Sequence, residues 1–178
     1  MRVMLLVGYR RKSYLSPGGR KHMPRKELKY PKQVEEWLSS WGKQLRAKGQ
    51  EGSMILIGSA AILLRAHLEG IEEGFSEGSM DVDPITSDES LAMLCYESQI
   101  GSAFELENGW HVNLMPDHVL QEFEKSWRER AIKLNYEGLT VMIPSVEDLI
   151  KPKLKRGEPR DLRHRDYTVR HRLLKGGE

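Results

Sequence analysis

Met54-Ile55-Leu56-Ile57-Gly58-Ser59-Ala60-Ala61-Ile62-Leu63-Leu64-Arg65 is the stretch on which the fold turns. Its first four residues are an apolar run of strand length, Gly58-Ser59 interrupts it, and Ala60 to Leu68 continues with good helix formers. Strand, tight turn and helix is the reading. Backbone N–H groups at a helix N-terminus bind phosphate oxygens, and a glycine there lets the ligand come close. The Ser59 hydroxyl adds a donor.

A Gly- and Glu-rich loop over 69–79 leads to Met80-Asp81-Val82-Asp83-Pro84-Ile85. On a strand, alternation places Asp81 and Asp83 on one face. Two such carboxylates can share magnesium or manganese, which neutralises triphosphate charge, orients an attacking hydroxyl and stabilises a leaving pyrophosphate. Taken alone, a Gly-Ser turn is common and an Asp-x-Asp pair equally suits a solvated strand edge. The conjunction of the two is what points to chemistry.

Outward from this centre, Pro31 opens a helix on which Val34, Leu38, Trp41 and Leu45 share a face, with Trp37 and Trp41 read as core. Thr86 and Glu89 have capping-box spacing, predicting a helix that buries Leu91, Leu94 and Cys95. Residues 110–115 read as a strand, and Pro116-Asp117 as the start of a helix with Val119, Leu120, Phe123 and Trp127 on one side. Leu139, Val141 and Ile143 alternate as a further strand. Ser145 and Asp148 cap a helix running towards Gly157, and Pro159 opens a last one to about residue 174. Strands separated by helices in this order predict an α/β domain, a mixed sheet flanked by helices.

The chain of 178 residues suits one domain with a real core, assigned to 23–178, behind a basic and flexible N-terminal extension over 1–22 that begins with a short strand at 3–7. No apolar run approaches the roughly 20 residues of a membrane helix, and the apolar run at 3–7 is too short for an export signal. The single cysteine, Cys95, rules out an internal disulfide and fits a cytoplasmic setting. The net charge of +2 hides a division. Residues 1–30 carry nine basic side chains against one acid and residues 151–178 ten against four, whereas 31–150 hold nine against 21. An acidic middle suits divalent cations, and basic ends suit phosphates; solvated faces and tails account for the same pattern.

The residues from Ile55 to Arg65, followed by Ser79-Met80-Asp81-Val82-Asp83, resemble the signature of the nucleotidyltransferase superfamily, whose fold is that of polymerase beta. Ile143-Pro144-Ser145-Val146-Glu147-Asp148-Leu149-Ile150, with Lys153-Leu154 and Arg160-Asp161-Leu162, resembles the end of the small bacterial and archaeal branch that includes the abortive-infection (AbiEii-like) toxins of toxin–antitoxin systems. The resemblance covers about residues 50–165. It implies that Gly58 and Ser59 bind the nucleotide, that Asp81 and Asp83 hold the metal, and that Lys153 and Asp161 take part in catalysis. It further implies a nucleoside triphosphate as donor, and RNA, transfer RNA above all, or a protein as acceptor.

Lys153 has a rationale of its own, since a helix-borne ammonium near the phosphates neutralises charge in phosphoryl transfer. Lys151, Lys153, Lys155 and Arg156 equally suit a solvated helix end complementing the dipole, and Arg160-Asp161 a structural ion pair. Active superfamily members supply a third carboxylate from a central strand, where this chain has Asn113; Asp117, Glu105 and Glu107 are the substitutes within reach. Glu158 stands where an arginine is common and His164 where an acid is common. A binding or regulatory module that has lost turnover, acting with a toxin partner or nucleic acid, is therefore the competing expectation. The histidines lack zinc-ligand spacing, and Cys95 lies on a buried helix face.

Overall fold

The computed structural model describes residues 27–174; the extension assigned to 1–22 and the strand expected at 3–7 lie outside the described residues. Helix α1 (Pro31–Ala47) starts where Gln33 Oε1 accepts hydrogen bonds from the N–H groups of Lys29 and Tyr30, both at 2.8 Å. Val34, Trp37, Leu38, Trp41 and Leu45 on it are buried. Strand β1 (Gly52–Ile57) runs straight into α2 (Gly58–Leu68), as the Gly-Ser turn predicts.

Six successive residues of α2, from Ser59 to Leu64, are buried, because the helix is covered by α1 on one side and by a later helix on another. A helix apolar all round needs such cover. Arg65 is tolerated there because its guanidinium donates to the carbonyls of Ile143, Pro144 and Arg130 at 2.9–3.0 Å. His67 closes the helix between Glu35 and Glu72, at 2.8 and 3.0 Å.

Strand β2 (Asp81–Ile85) pairs antiparallel with β1, and helix α3 (Glu89–Glu97) follows. The capping box expected from Thr86 and Glu89 does not form. Asp88 precedes the helix instead; Thr86 donates to the Ser53 carbonyl at 2.7 Å, and the Asp88 carboxylate accepts from Ser53, so β1 claims both groups. Helix α4 (Ala103–Asn108), which the sequence reading passed over, is capped by Ser102 accepting from the N–H of Glu105.

Strand β3 is only His111–Val112, shorter than the expected 110–115. Asn113 and Met115 donate their N–H groups to the carbonyls of Val82 and Pro84, both at 2.8 Å, but the donor that would complete this parallel ladder between them belongs to Pro84, which has none. The helix expected from Asp117 to Trp127 is broken in two. A 3-10 turn spans Asp117–Glu122, Phe123 turns extended at ψ 157°, and α5 covers Trp127–Arg130. The rings of Phe123 and Trp127 still meet edge-on at 5.8 Å, as residues four apart would on a continuous helix.

Strand β4 (Ile132–Tyr136) was not foreseen; it forms a hairpin with β5 (Leu139–Ile143) and an edge of the sheet. Helices α6 (Val146–Arg156) and α7 (Pro159–Arg170) close the chain, α6 capped by Ser145 accepting from the Asp148 N–H. The sheet order is β3-β2-β1-β5-β4, with β1 parallel to β5 and β2 parallel to β3. This is the mixed sheet flanked by helices that the alternation of elements predicts. The buried apolar residues, Trp127 apart, form one cluster, from Leu28 through to Leu173.

Candidate functional site

The antiparallel register sets Ile57 opposite Asp83, so the turn that begins α2 lies against the second aspartate of β2. Gly58 has φ +73°, and a Cβ on it would stand 2.3 Å from Asp83 Oδ2. Backbone conformation and close approach both demand glycine here. No side chain caps α2, in contrast to α6, so its first N–H groups lie uncapped beside the carboxylates.

Asp81 and Asp83 are both half-buried on the same face of β2, with Val82 buried between them. Their environments differ. Ser79 Oγ donates to Asp81 Oδ1 at 2.9 Å and Arg160 Nη2 lies 3.3 Å from the same oxygen. Burial works to raise the Asp81 carboxyl, but the Ser79 hydroxyl and the Arg160 guanidinium outweigh it and hold the group below its ordinary value. Asp83 receives one hydrogen bond, from Asn113 Nδ2 to Oδ1 at 3.0 Å. Burial, helped by the negative charge of Asp81, pushes its carboxyl up to about 6.

Across a cavity of about 360 Å³ from these carboxylates stands a wall built from α6 and the start of α7. Lys153 is buried, although it belongs to the basic run that equally suits a solvated helix end. Its ammonium lies 3.6 Å from Asp161 Oδ1, and burial lowers its pKa from the ordinary lysine value. Asp161 is 2% exposed and takes a bidentate pair from Arg156, both bonds at 2.8 Å. Asp161 therefore pairs with Arg156 and Lys153; its neighbour Arg160 turns the other way, to Ser79 and Asp81.

All six candidate residues, Gly58, Ser59, Asp81, Asp83, Lys153 and Asp161, line this one cavity. Asn113 lines it too, whereas Asp117, Glu105 and Glu107 do not. Glu105 is occupied elsewhere, with His111 at 3.2 Å and the Gly101 N–H at 2.7 Å. The cavity holds four charged residues that sequence reasoning did not assign to the site: Glu122, Arg156, Glu158 and Arg160. Nothing in the local sequence separates Glu122 from its neighbours, but Arg156 and Arg160 flank the Gly157–Pro159 turn at helical spacing from Lys153, a signal that was available. His164 is buried against Phe75 at 4.5 Å, and burial, with Lys153 and Arg160 nearby, drives its pKa down to about 3. It is a neutral core residue.

The donor set suits a hard divalent cation. Among the described residues no group of three acids, histidines or cysteines is arranged to hold a metal alone. Magnesium is ordinarily held by one or two carboxylates together with substrate phosphates, and Asp81 and Asp83 beside uncapped N–H groups meet that requirement. No helix among the described residues is long and apolar enough to cross a membrane.

The family described as "Nucleotidyltransferase of unknown function (DUF6036)" matches residues 38–168, and the chain belongs to it. No curated protein matches the sequence. Among solved structures, the chain is similar to an antigenic nucleotidyltransferase-like protein from Paracoccidioides brasiliensis, at 14% identity and a TM-score of 0.47 over 85% of this chain and 80% of that one.

Proposed function

We propose that this member of a nucleotidyltransferase family transfers a nucleotidyl group from a nucleoside triphosphate to a hydroxyl acceptor in a divalent-metal-dependent reaction. The observation that carries the reading is the fit of Gly58 to Asp83: a backbone held at φ +73° with no room for a Cβ brings uncapped helix N–H groups beside two carboxylates. Gly42 and Gly74 are crowded as closely, but against backbone carbonyls; at Gly58 the neighbour is a carboxylate that lines the cavity.

In this reading the N–H groups of Gly58 and Ser59 bind phosphate oxygens, and Asp81 and Asp83 hold magnesium or manganese. The metal neutralises triphosphate charge and steadies the leaving pyrophosphate. Lys153 and Arg160, fixed by Asp161 and by Ser79 and Asp81, supply positive charge from the opposite wall. The acceptor oxygen bonds to the α-phosphorus as the bond to the bridging oxygen breaks. Pyrophosphate departs with the electron pair, and the hydroxyl proton leaves to solvent or to a carboxylate of the cavity wall.

We assign RNA, transfer RNA first, as the acceptor. Two features favour it: the toxin-like segment 143–162, and the basic α6–α7 region, where Lys151, Lys155, Arg163, Arg165 and Arg170 are all exposed. Incubation with each α-labelled triphosphate, magnesium and total RNA, with a parallel protein arm, tests this. Label should enter RNA with wild type and not with Asp81→Asn/Asp83→Asn. Incorporation by that double variant would sink the assignment. One observation favours the competing reading of a module without turnover: Asn113 in place of a third carboxylate. RNA binding that needs no metal, with no incorporation into either arm, would establish it.

A further inference from the structure

Each aspartate of the site has one oxygen engaged and one open. Asp81 Oδ1 accepts from Ser79 and faces Arg160, and Asp83 Oδ1 accepts from Asn113. Among the described residues neither Oδ2 takes a hydrogen bond, and Asp83 Oδ2 is the atom for which Gly58 makes room. Enzymes that use two ions about 3.5–4 Å apart need enough negative charge to hold both. Here the place beside Asp83 from which a further anionic ligand would come is filled by the Asn113 amide, whose N–H is directed at the carboxylate. Asn113 also donates to Met115 Sδ at 3.2 Å, so its nitrogen is held on two sides.

We infer that this site takes a single divalent cation, on Asp81 Oδ2 and Asp83 Oδ2, and that the Asn113 amide excludes a second. The inference rests on the metal-dependent reading above. Charge supports it. A second dication would add two positive charges with no third carboxylate on the sheet to meet them: of the other acids that line the cavity, Asp161 is taken by Arg156 and Lys153, and Glu122 and Glu158 stand on helical turns outside the sheet. It would do so where Lys153 and Arg160 already act on Asp83. Turning the amide to offer its oxygen would give up the bond to Asp83 and still bring no charge. Lys153, buried and fixed by Asp161, stands as the permanent counter-charge where a second ion would otherwise serve.

Manganese titration in the presence of a non-hydrolysable α,β-methylene triphosphate, followed by the electron paramagnetic resonance of free Mn²⁺ and by calorimetry, tests this on the full chain, the ions being counted per protein after those taken up by the triphosphate alone are subtracted. Wild type should bind about one ion and Asn113→Asp about two, with circular dichroism checking that the variant is folded. Two ions on wild type would overturn the inference and leave metal-dependent transfer standing. No ion on wild type, with or without the triphosphate, would overturn the metal-dependent reading itself. Should Asn113→Asp be folded and stay at one ion, the role given to Asn113 falls. Asp81→Asn/Asp83→Asn should bind none; binding there would move the ion elsewhere and sink the assignment.

Discussion

Two pairs of aspartates on this small fold are treated in opposite ways. Asp148 and Asp161 are each 2% exposed, and each is matched by an arginine fork: Arg130 on Asp148 at 2.6 and 3.1 Å, Arg156 on Asp161 at 2.8 Å twice. For Asp161 the Arg156 hydrogen bonds lead in holding the carboxyl below its ordinary value; for Asp148 burial opposes the shift, and Arg130 with Ser145 outweighs it. Asp81 and Asp83 sit side by side on the wall of a cavity, incompletely matched, each with one oxygen that takes no hydrogen bond among the described residues. Burial without matching is what a site for a cation looks like before the cation arrives, whereas burial with matching locks helices together.

The comparison breaks most sharply in activity. Asp81→Asn/Asp83→Asn should lower metal-dependent incorporation by on the order of 10³-fold, equivalent to about 4 kcal/mol of barrier, with no loss of melting temperature. A fall in stability would put these residues in the same class as Asp148. Next, Asp148→Ala should cost about 3 kcal/mol in denaturant unfolding. That is the low end for a broken buried pair, because Arg130 keeps contact with solvent. It removes the bidentate partner of Arg130, which keeps Ser126 and Glu124, and the acceptor of the Ser145 hydroxyl.

Gly58→Ala should cost about 2 kcal/mol, combining a positive φ with a methyl pressed onto Asp83. In an Asp83→Ala background the clash disappears and about 1 kcal/mol, the backbone share, remains. A double-mutant cycle by urea unfolding reads the difference. An additive cycle would show that the two residues do not touch.

The comparison also marks where the sequence was legible. Strand, glycine turn and buried helix, the same-face aspartates and the caps of α6 are local facts, each set by residues a few positions apart, and the structure repeats them. Capping by Thr86 and a long strand at 110–115 failed because distant groups intervened: Ser53 drew Thr86 and Asp88, and Pro84 withheld a donor. The helix expected from 117 to 127 breaks where Phe123 turns extended. Strand β4 was passed over although Ile132, Leu134 and Tyr136 alternate, since as an edge strand it carries only partly buried residues and no strong apolar run. The ion pair that the sequence equally allows between Arg160 and Asp161 does not form. Adjacent in sequence, Arg160 and Asp161 point to different partners on a helix, and it is Arg156, five residues back across the Gly157 turn, that meets the carboxylate.

Asp83 allows a smaller effect to be read with its sign. Its pKa, about 6 in the fold, lies above the ordinary carboxyl value of 3.8. The stability tied to its protonated form is therefore fully present below pH 3.8 and lost as pH rises through 6. In metal-free buffer at pH 8, Asp83→Asn should be more stable than wild type by about 1–2 kcal/mol after solvent screening is allowed for, and the gap should close by pH 4. Magnesium with a triphosphate should narrow the gap at pH 8 by stabilising wild type alone. Melting curves of both proteins against pH check this; taking the difference removes the contribution of His164, whose depressed pKa works in the opposite direction as pH falls below 6.5.

The smallest effect belongs to the far end of α7, and it separates surface pairing from the matched pairs inside. Arg163 meets Glu77 at 2.5 Å, and Arg170 and His171 meet Glu73 at 2.8 and 3.4 Å, pinning the 69–79 loop that delivers β2 to the site. These side chains are mostly half-exposed or more, so the short distances do not translate into large energies. The loop has firmer anchors: Phe75 lies buried against Tyr167 at 4.8 Å, and the Tyr167 hydroxyl donates to the Glu73 carbonyl at 2.7 Å. Arg163→Ala should accordingly cost less than about 1 kcal/mol and lose even that near 1 M salt, where screening acts over about 3 Å. Tyr167→Phe should cost about 1 kcal/mol at any salt, because a part-buried hydrogen bond between uncharged groups is lost. A salt-resistant loss for Arg163→Ala would mean that the loop is held by charge, and that the matched and unmatched classes of acid on this fold do not divide at the surface.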